Sequence, residues 1–256
     1  MKKIYIVYCW SGKKDDGWYP WLDKELSSNK VYRFDMPNSD TPKIEDWVSF
    51  LDKQVDCLDE NTYFVGHSIG CQTIMRYLQT KDVCKIGGLL FVTPWFDLLD
   101  YAIEDEDSYE IAKPWLTEKI DFEKIKKFTN NIHCIFSDDD YFVPLWQKEK
   151  FEKLLGAQTI VVNGKGHISK DDNVFELKEI LDECNKMISL DEKVLKAREF
   201  CRKVKDLARE YDLSFFVVTE GASAISNNGC DAVKNARDSH IKWELEHNSD
   251  PYEDWS

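Results

Sequence analysis

The stretch Tyr63-Phe64-Val65-Gly66-His67-Ser68-Ile69-Gly70-Cys71 is an apolar run that ends abruptly in a serine held between two glycines. Residues 66–70 have the form G-x-S-x-G, and the segment that follows, IGCQTIMRYLQT, is helical in pattern. A strand, a tight turn and a helix in that order present the serine hydroxyl above the carboxyl edge of a sheet, where it is exposed to a reacting carbonyl. The motif is short, so this flanking context is what separates a nucleophile from an ordinary Gly-Ser turn.

A lone serine is a poor nucleophile. It needs a base within hydrogen-bond reach and an acid behind that base to fix the imidazole tautomer. Downstream of Ser68, the run FSDDDYFVP offers Asp138, Asp139 and Asp140, and the run NGKGH offers His167 in a glycine-flanked loop. The order Ser, Asp, His is satisfied. The three aspartates are contiguous, so spacing alone does not choose among them, and any of them could instead cap the helix that follows. The other four of the five histidines have plainer roles. His67 adjoins Ser68, but the turn should point it away from the attacking oxygen and into the packing. His133 lies in an apolar run, and His240 and His247 fall in a polar C-terminal pattern. An oxyanion at the reacting carbonyl would need backbone N–H donors, one from Ile69 and one from the loop after the first strand, at Trp10 or Ser11.

These groups must be carried by a scaffold. Strand-like runs at 3–9, 30–34, 62–66, 86–92, 131–136 and 158–162 alternate with helical patterns near 18–27, 43–57, 69–79, 145–155 and 172–188. That alternation predicts an α/β domain over 1–188, built on a six-strand, mainly parallel sheet with helices on both faces. One long interruption, 95–128, mixes Trp95, Phe96, Tyr101, Tyr109 and Trp115 with the acidic run 104–107. It is too apolar for a linker and predicts a lid. Beyond 188 the texture changes to a small, mostly helical C-terminal extension over 189–256. It has an amphipathic pattern at 190–211, a short strand LSFFVV and a final helical segment near 230–247.

With 256 residues and a formal net charge of −14, the chain has room for one sizeable core and an appendage, and it would be repelled by nucleic acid and by anionic membrane. No apolar run approaches the roughly 18 residues of a membrane span. The N-terminal MKKIYIVYCW is too short for a signal peptide and runs directly into KKDD, so it reads as a buried strand. Eight cysteines without a CxxC pair read as reduced core residues of a cytoplasmic protein. No H-E-x-x-H or comparable ligand cluster appears, so this chemistry asks for no metal and no cofactor.

Residues 1–185 resemble the small serine hydrolases of the retinoblastoma-binding protein nine and YdeN type, which are compact α/β hydrolases with esterase-like activity. The shared stretches are GWYPWLDKEL at 17–26, GHSIG at 66–70, KPWLTEKI at 113–120, DDYFVP at 139–144 and GKGHIS at 164–169. The resemblance implies Ser68 as nucleophile, His167 as base and, through the D-x-x-V-P form of the acid loop, Asp140 as acid. Where related hydrolases end the first strand in His-Gly or Pro-Gly, this chain has Tyr8-Cys9. Segment 189–256 falls outside the resemblance.

The leading expectation is therefore a serine hydrolase that cleaves a small ester or amide through an acyl-enzyme. The alternative is a non-catalytic binding protein on an α/β-hydrolase scaffold, with Tyr8-Cys9 as its supporting feature and the C-terminal module mediating protein contact or self-association.

Overall fold

In this computed structural model the described residues are 1–189 apart from Glu104, together with Phe200, Lys203 and three short strands further on. Residues 1–191 form one compact unit. Its sheet comprises β1 (Lys3–Val7), β2 (Lys30–Arg33), β3 (Thr62–His67), β4 (Gly88–Val92), β5 (Ile132–Ser137) and β6 (Gln158–Val162). The strands lie in the order β2-β1-β3-β4-β5-β6 and every neighbouring pair is parallel. This is the sheet that the alternating pattern predicts. Strands β3, β4 and β5 are buried at every residue, which explains their continuously apolar sequences, whereas the edge strands β2 and β6 are only partly covered.

Helices α1 (Tyr19–Glu25), α2 (Ile44–Gln54), α3 (Ile69–Thr80), α4 (Glu106–Thr117), α5 (Phe122–Phe128), α6 (Gln147–Leu155) and α7 (178–189) connect and cover the strands. Helix α7 starts six residues later than its apolar pattern suggests, because 171–177 are spent on turns that follow the β6 loop. Helix α3 is buried along ten residues, Ile69 to Leu78. Even Arg76 is enclosed, its Nη2 donating to the carbonyls of Trp115 (3.1 Å) and Glu118 (3.0 Å). Those bonds satisfy carbonyls at the C-terminal end of α4 and tie the inserted segment to the helix that follows Ser68.

The aromatic content of the insertion divides in two. Trp115 is buried, donates Nε1–H to Pro42 O at 3.1 Å and packs edge-on against Trp47, so it belongs to the helical layer; Tyr101 and Tyr109 are exposed. Within the acidic run, Asp105 caps α4 by accepting from Ser108 N at 2.8 Å, and Glu106 and Asp107 occupy the first turn. There their charge complements the helix dipole.

Beyond residue 191 the described strands are β7 (Ser214–Val218), β8 (Ile225–Ser226) and β9 (Lys242–Glu246), which form an antiparallel sheet in the order β8-β7-β9. The pattern near 230–247 predicts helix, but Lys242–Glu246 is strand. Lys-Trp-Glu-Leu-Glu alternates polar and apolar residues with period two, which is the strand period. The amphipathic pattern at 190–211 lies, but for Phe200 and Lys203, outside the described residues, as do His240 and His247.

Candidate active site

Four loops leave the carboxyl ends of β1, β3, β4 and β6 through a residue other than glycine at positive φ: Ser11 (54°), Ser68 (54°), Thr93 (45°) and Ile168 (54°). Such backbone strain, with two β-branched residues among the four, is held only where surrounding packing imposes it, and it concentrates at functional sites.

Ser68 occupies the turn between β3 and α3 at φ 54°, ψ −121°, with its N–H donated to Val92 O at 2.9 Å. The glycines on either side serve close approach rather than unusual φ. A Cβ at Gly66 would sit 2.8 Å from Cys71 Cα, and one at Gly70 would collide with the carbonyl oxygens of Val7 and Tyr8. Only glycine lets α3 start this close to β1, and the strain then falls on the serine.

Asp140 follows β5. Its Oδ1 accepts from the backbone N–H groups of Phe142 (2.8 Å) and Val143 (2.9 Å), while Oδ2 lies 2.9 Å from His167 Nδ1. A carboxylate accepts only, so Nδ1 carries the proton and Nε2 is left as the basic nitrogen of the neutral ring. Both side chains are almost completely buried. Phe142 meets the His167 ring edge-on at 5.0 Å. Among the described residues no hydrogen bond joins Nε2 to Ser68 Oγ, a distance that commonly tightens only when substrate binds.

The two other aspartates do a different job. Asp138 accepts from Gly164 N at 2.8 Å; Asp139 accepts from Gly166 N (2.8 Å) and from the Ser137 hydroxyl (2.7 Å). They bind the β6 loop to the end of β5. The Ser137 hydroxyl and the Gly166 N–H hold the Asp139 carboxyl below the usual carboxylate range.

His67 points away from the serine oxygen, as expected, but it does more than pack. Its Nε2 lies 2.9 Å from the backbone oxygen of His167 and its Nδ1 2.6 Å from the Tyr19 hydroxyl. A carbonyl only accepts, so Nε2 bears the hydrogen and Tyr19 donates to Nδ1. Burial, reinforced by the neighbouring His167, lowers its pKa to about 3, so it stays neutral and this arrangement is fixed. His133 is a satisfied core histidine, bonded to Glu183 (2.7 Å) and Asn131 (3.1 Å).

Of the two oxyanion candidates on the β1 loop, Ser11 is excluded because its N–H donates to Ser39 O at 2.8 Å. The Trp10 backbone N–H has no backbone acceptor among the described residues. Ile69 opens α3, where no preceding turn supplies an acceptor for its N–H. A cavity of about 240 Å³ opens between this loop and Ile168–Asp171, beside the site; Ser68 is not in its wall.

The sequence places Trp95 among the aromatic residues of the predicted lid. It is instead buried at the end of β4, with its indole Nε1 3.2 Å from Ser68 Oγ. The one sequence signal for it is its place just after the β4 run, at the sheet edge where Ser68 also emerges.

Residues 4–184 match the family described as serine hydrolase. The Bacillus subtilis protein YdeN is 28% identical over 184 residues, covering 71% of this chain and 93% of that protein. The rat serine hydrolase RBBP9 is 29% identical over 154 residues, 59% of this chain and 77% of its own. The crystal structure of the B. subtilis ydeN gene product superposes with a TM-score of 0.68 at 26% identity, covering 74% of this chain and all of that one. A Rhodococcus esterase, RhEst1, shares the fold at 13% identity with a TM-score of 0.53, over 73% of this chain and 90% of its own. With most of its length matched, and with a strained G-x-S-x-G turn at the carboxyl edge of a parallel sheet, this chain belongs to the serine hydrolase family.

Proposed function

We propose that the chain hydrolyses a small ester or amide through an acyl-enzyme, with Ser68 as nucleophile, His167 as general base and acid, and Asp140 as the group that fixes the His167 tautomer. The observation that carries this reading is the buried Asp140–His167 pair, bonded at 2.9 Å, on the same sheet edge as a serine at positive φ.

In the first half of the reaction Ser68 Oγ bonds to the substrate carbonyl carbon and its proton passes to His167 Nε2. The carbonyl oxygen becomes an oxyanion facing the N–H groups of Ile69 and Trp10. The intermediate collapses as the bond to the leaving group breaks and His167 gives that group the proton. Water then repeats the sequence on the acyl-enzyme and returns the proton to Ser68. The adjacent cavity, at about 240 Å³, is smaller than the roughly 300–1,000 Å³ of common ligand pockets and favours a short acyl or leaving group.

The test is hydrolysis of nitrophenyl esters from acetyl to octanoyl by the wild type and by Ser68→Ala. A rate that falls with acyl length in the wild type and disappears in the variant supports the reading. Equal rates in both proteins contradict it.

A further inference from the structure

We propose that Trp95 is a catalytic residue whose indole N–H donates to the reacting oxygen of Ser68; this rests on the reading of Ser68 as the nucleophile. An indole nitrogen is a donor only, so the 3.2 Å contact has one polarity, Nε1–H to Oγ. A hydroxyl oxygen has one proton and two lone pairs. With one lone pair committed to Trp95, the proton is left to turn toward His167 and the second lone pair toward the incoming carbonyl. The same bond acts again in deacylation. When the bond between the acyl carbon and Oγ breaks, Oγ takes the electron pair and then the proton from His167, and the indole stabilises the charge that develops on it.

The surroundings of Trp95 show that this placement is built rather than incidental. Thr93 adopts φ 45°, an unfavourable conformation for a β-branched residue and more so before a proline, and its hydroxyl is buried without a partner. That strained Thr93-Pro94 turn swings the chain back over Ser68. Gln72, buried in α3, donates Nε2–H to Trp95 O at 3.2 Å, and Phe96 N donates to Gln147 Oε1 at 2.9 Å, so the backbone on both sides of the indole is fixed. The ring itself is 1% exposed, which keeps water from competing for Oγ on that side.

The experiment replaces Trp95 by Phe in the full chain, which keeps a ring and removes the donor. Labelling of Ser68 by a fluorophosphonate and kcat on a short nitrophenyl ester should each fall about ten- to a hundredfold. This is less than the 10²–10³ of an oxyanion donor, because Oγ carries only part of the charge. KM should change little. Rates within about twofold of a reactive wild type would overturn the proposal while leaving the Ser68 reading intact; a wild type inert to both reagents would overturn that reading and this proposal with it. A second measurement guards against a variant that does not fold. In the indole ¹H–¹⁵N spectrum of isotopically labelled protein, Ser68→Ala should displace one buried tryptophan resonance relative to wild type, and an unchanged indole spectrum would overturn the proposal.

Discussion

At the Ser68 turn, position is fixed by steric exclusion: a Cβ at Gly66 or Gly70 has no space against Cys71, Val7 and Tyr8, and Ser68 takes up the strained φ. At the Asp140 and His167 loops, on the same sheet edge, position is fixed by hydrogen bonds. Three consecutive aspartates divide the work, with Asp138 and Asp139 tying down the β6 loop and Asp140 holding His167. His67 joins the two regimes, since it belongs to the turn yet bonds the backbone of His167. Packing fixes the place of Ser68. Hydrogen bonds fix the His167 tautomer through the oxygen that faces it.

The largest effect should come from breaking the polar side at its centre. Asp140→Asn can keep the oxygen that accepts from Phe142 and Val143 while presenting an amide N–H to His167 Nδ1. That would move the ring proton to Nε2, the wrong tautomer, and kcat should fall by about 10³–10⁴ with little change in melting temperature. Breaking the steric side should cost the fold instead. Gly70→Val places a branched side chain against backbone carbonyls that cannot rotate away, so unfolding by denaturant should show a loss of about 3 kcal/mol or more.

The joint between the two sides should appear in the pH dependence of stability. His67 has a folded pKa of about 3, well below the roughly 6.5 of an unfolded histidine, so in that interval the unfolded chain binds the extra proton. Its contribution is complete above about 6.5 and is lost as pH falls toward 3. From pH 7 to pH 5 this costs about 2 kcal/mol, a drop that should be absent from His67→Gln measured over the same interval. The smallest effects separate the helper aspartates. Asp139→Asn, which weakens two bonds, should lower stability by about 1 kcal/mol, and the single exposed bond of Asp138 should be worth a few tenths.

The same contrast governs what could be read from sequence. Steric demands leave short, local signatures: Gly66-His67-Ser68-Ile69-Gly70 marks the turn, and the continuously apolar β3, β4 and β5 mark the buried centre of the sheet. Hydrogen bonds between residues far apart in the chain leave none. Nothing in Asp138-Asp139-Asp140 says which carboxylate faces His167, and family resemblance rather than spacing favoured Asp140. The place of Trp95 is not legible because an indole in an aromatic-rich insertion reads as roof or core, and its contact with Ser68 depends on the strained backbone at Thr93. The period-two pattern of Lys242–Glu246 is legible, but it is short and lies inside a longer segment of helical pattern.

The proposed reaction requires Ser68 to be an activated nucleophile served by His167 and Asp140. The most direct measurement is fluorophosphonate labelling of the full chain, with the modified residue located by peptide mass spectrometry. The proposed triad predicts a single adduct on Ser68, formed rapidly by wild type, absent from Ser68→Ala and slowed by orders of magnitude in His167→Ala, with the double variant no worse than either single one. An unlabelled wild type, or an adduct on any other residue that persists in Ser68→Ala, would contradict it.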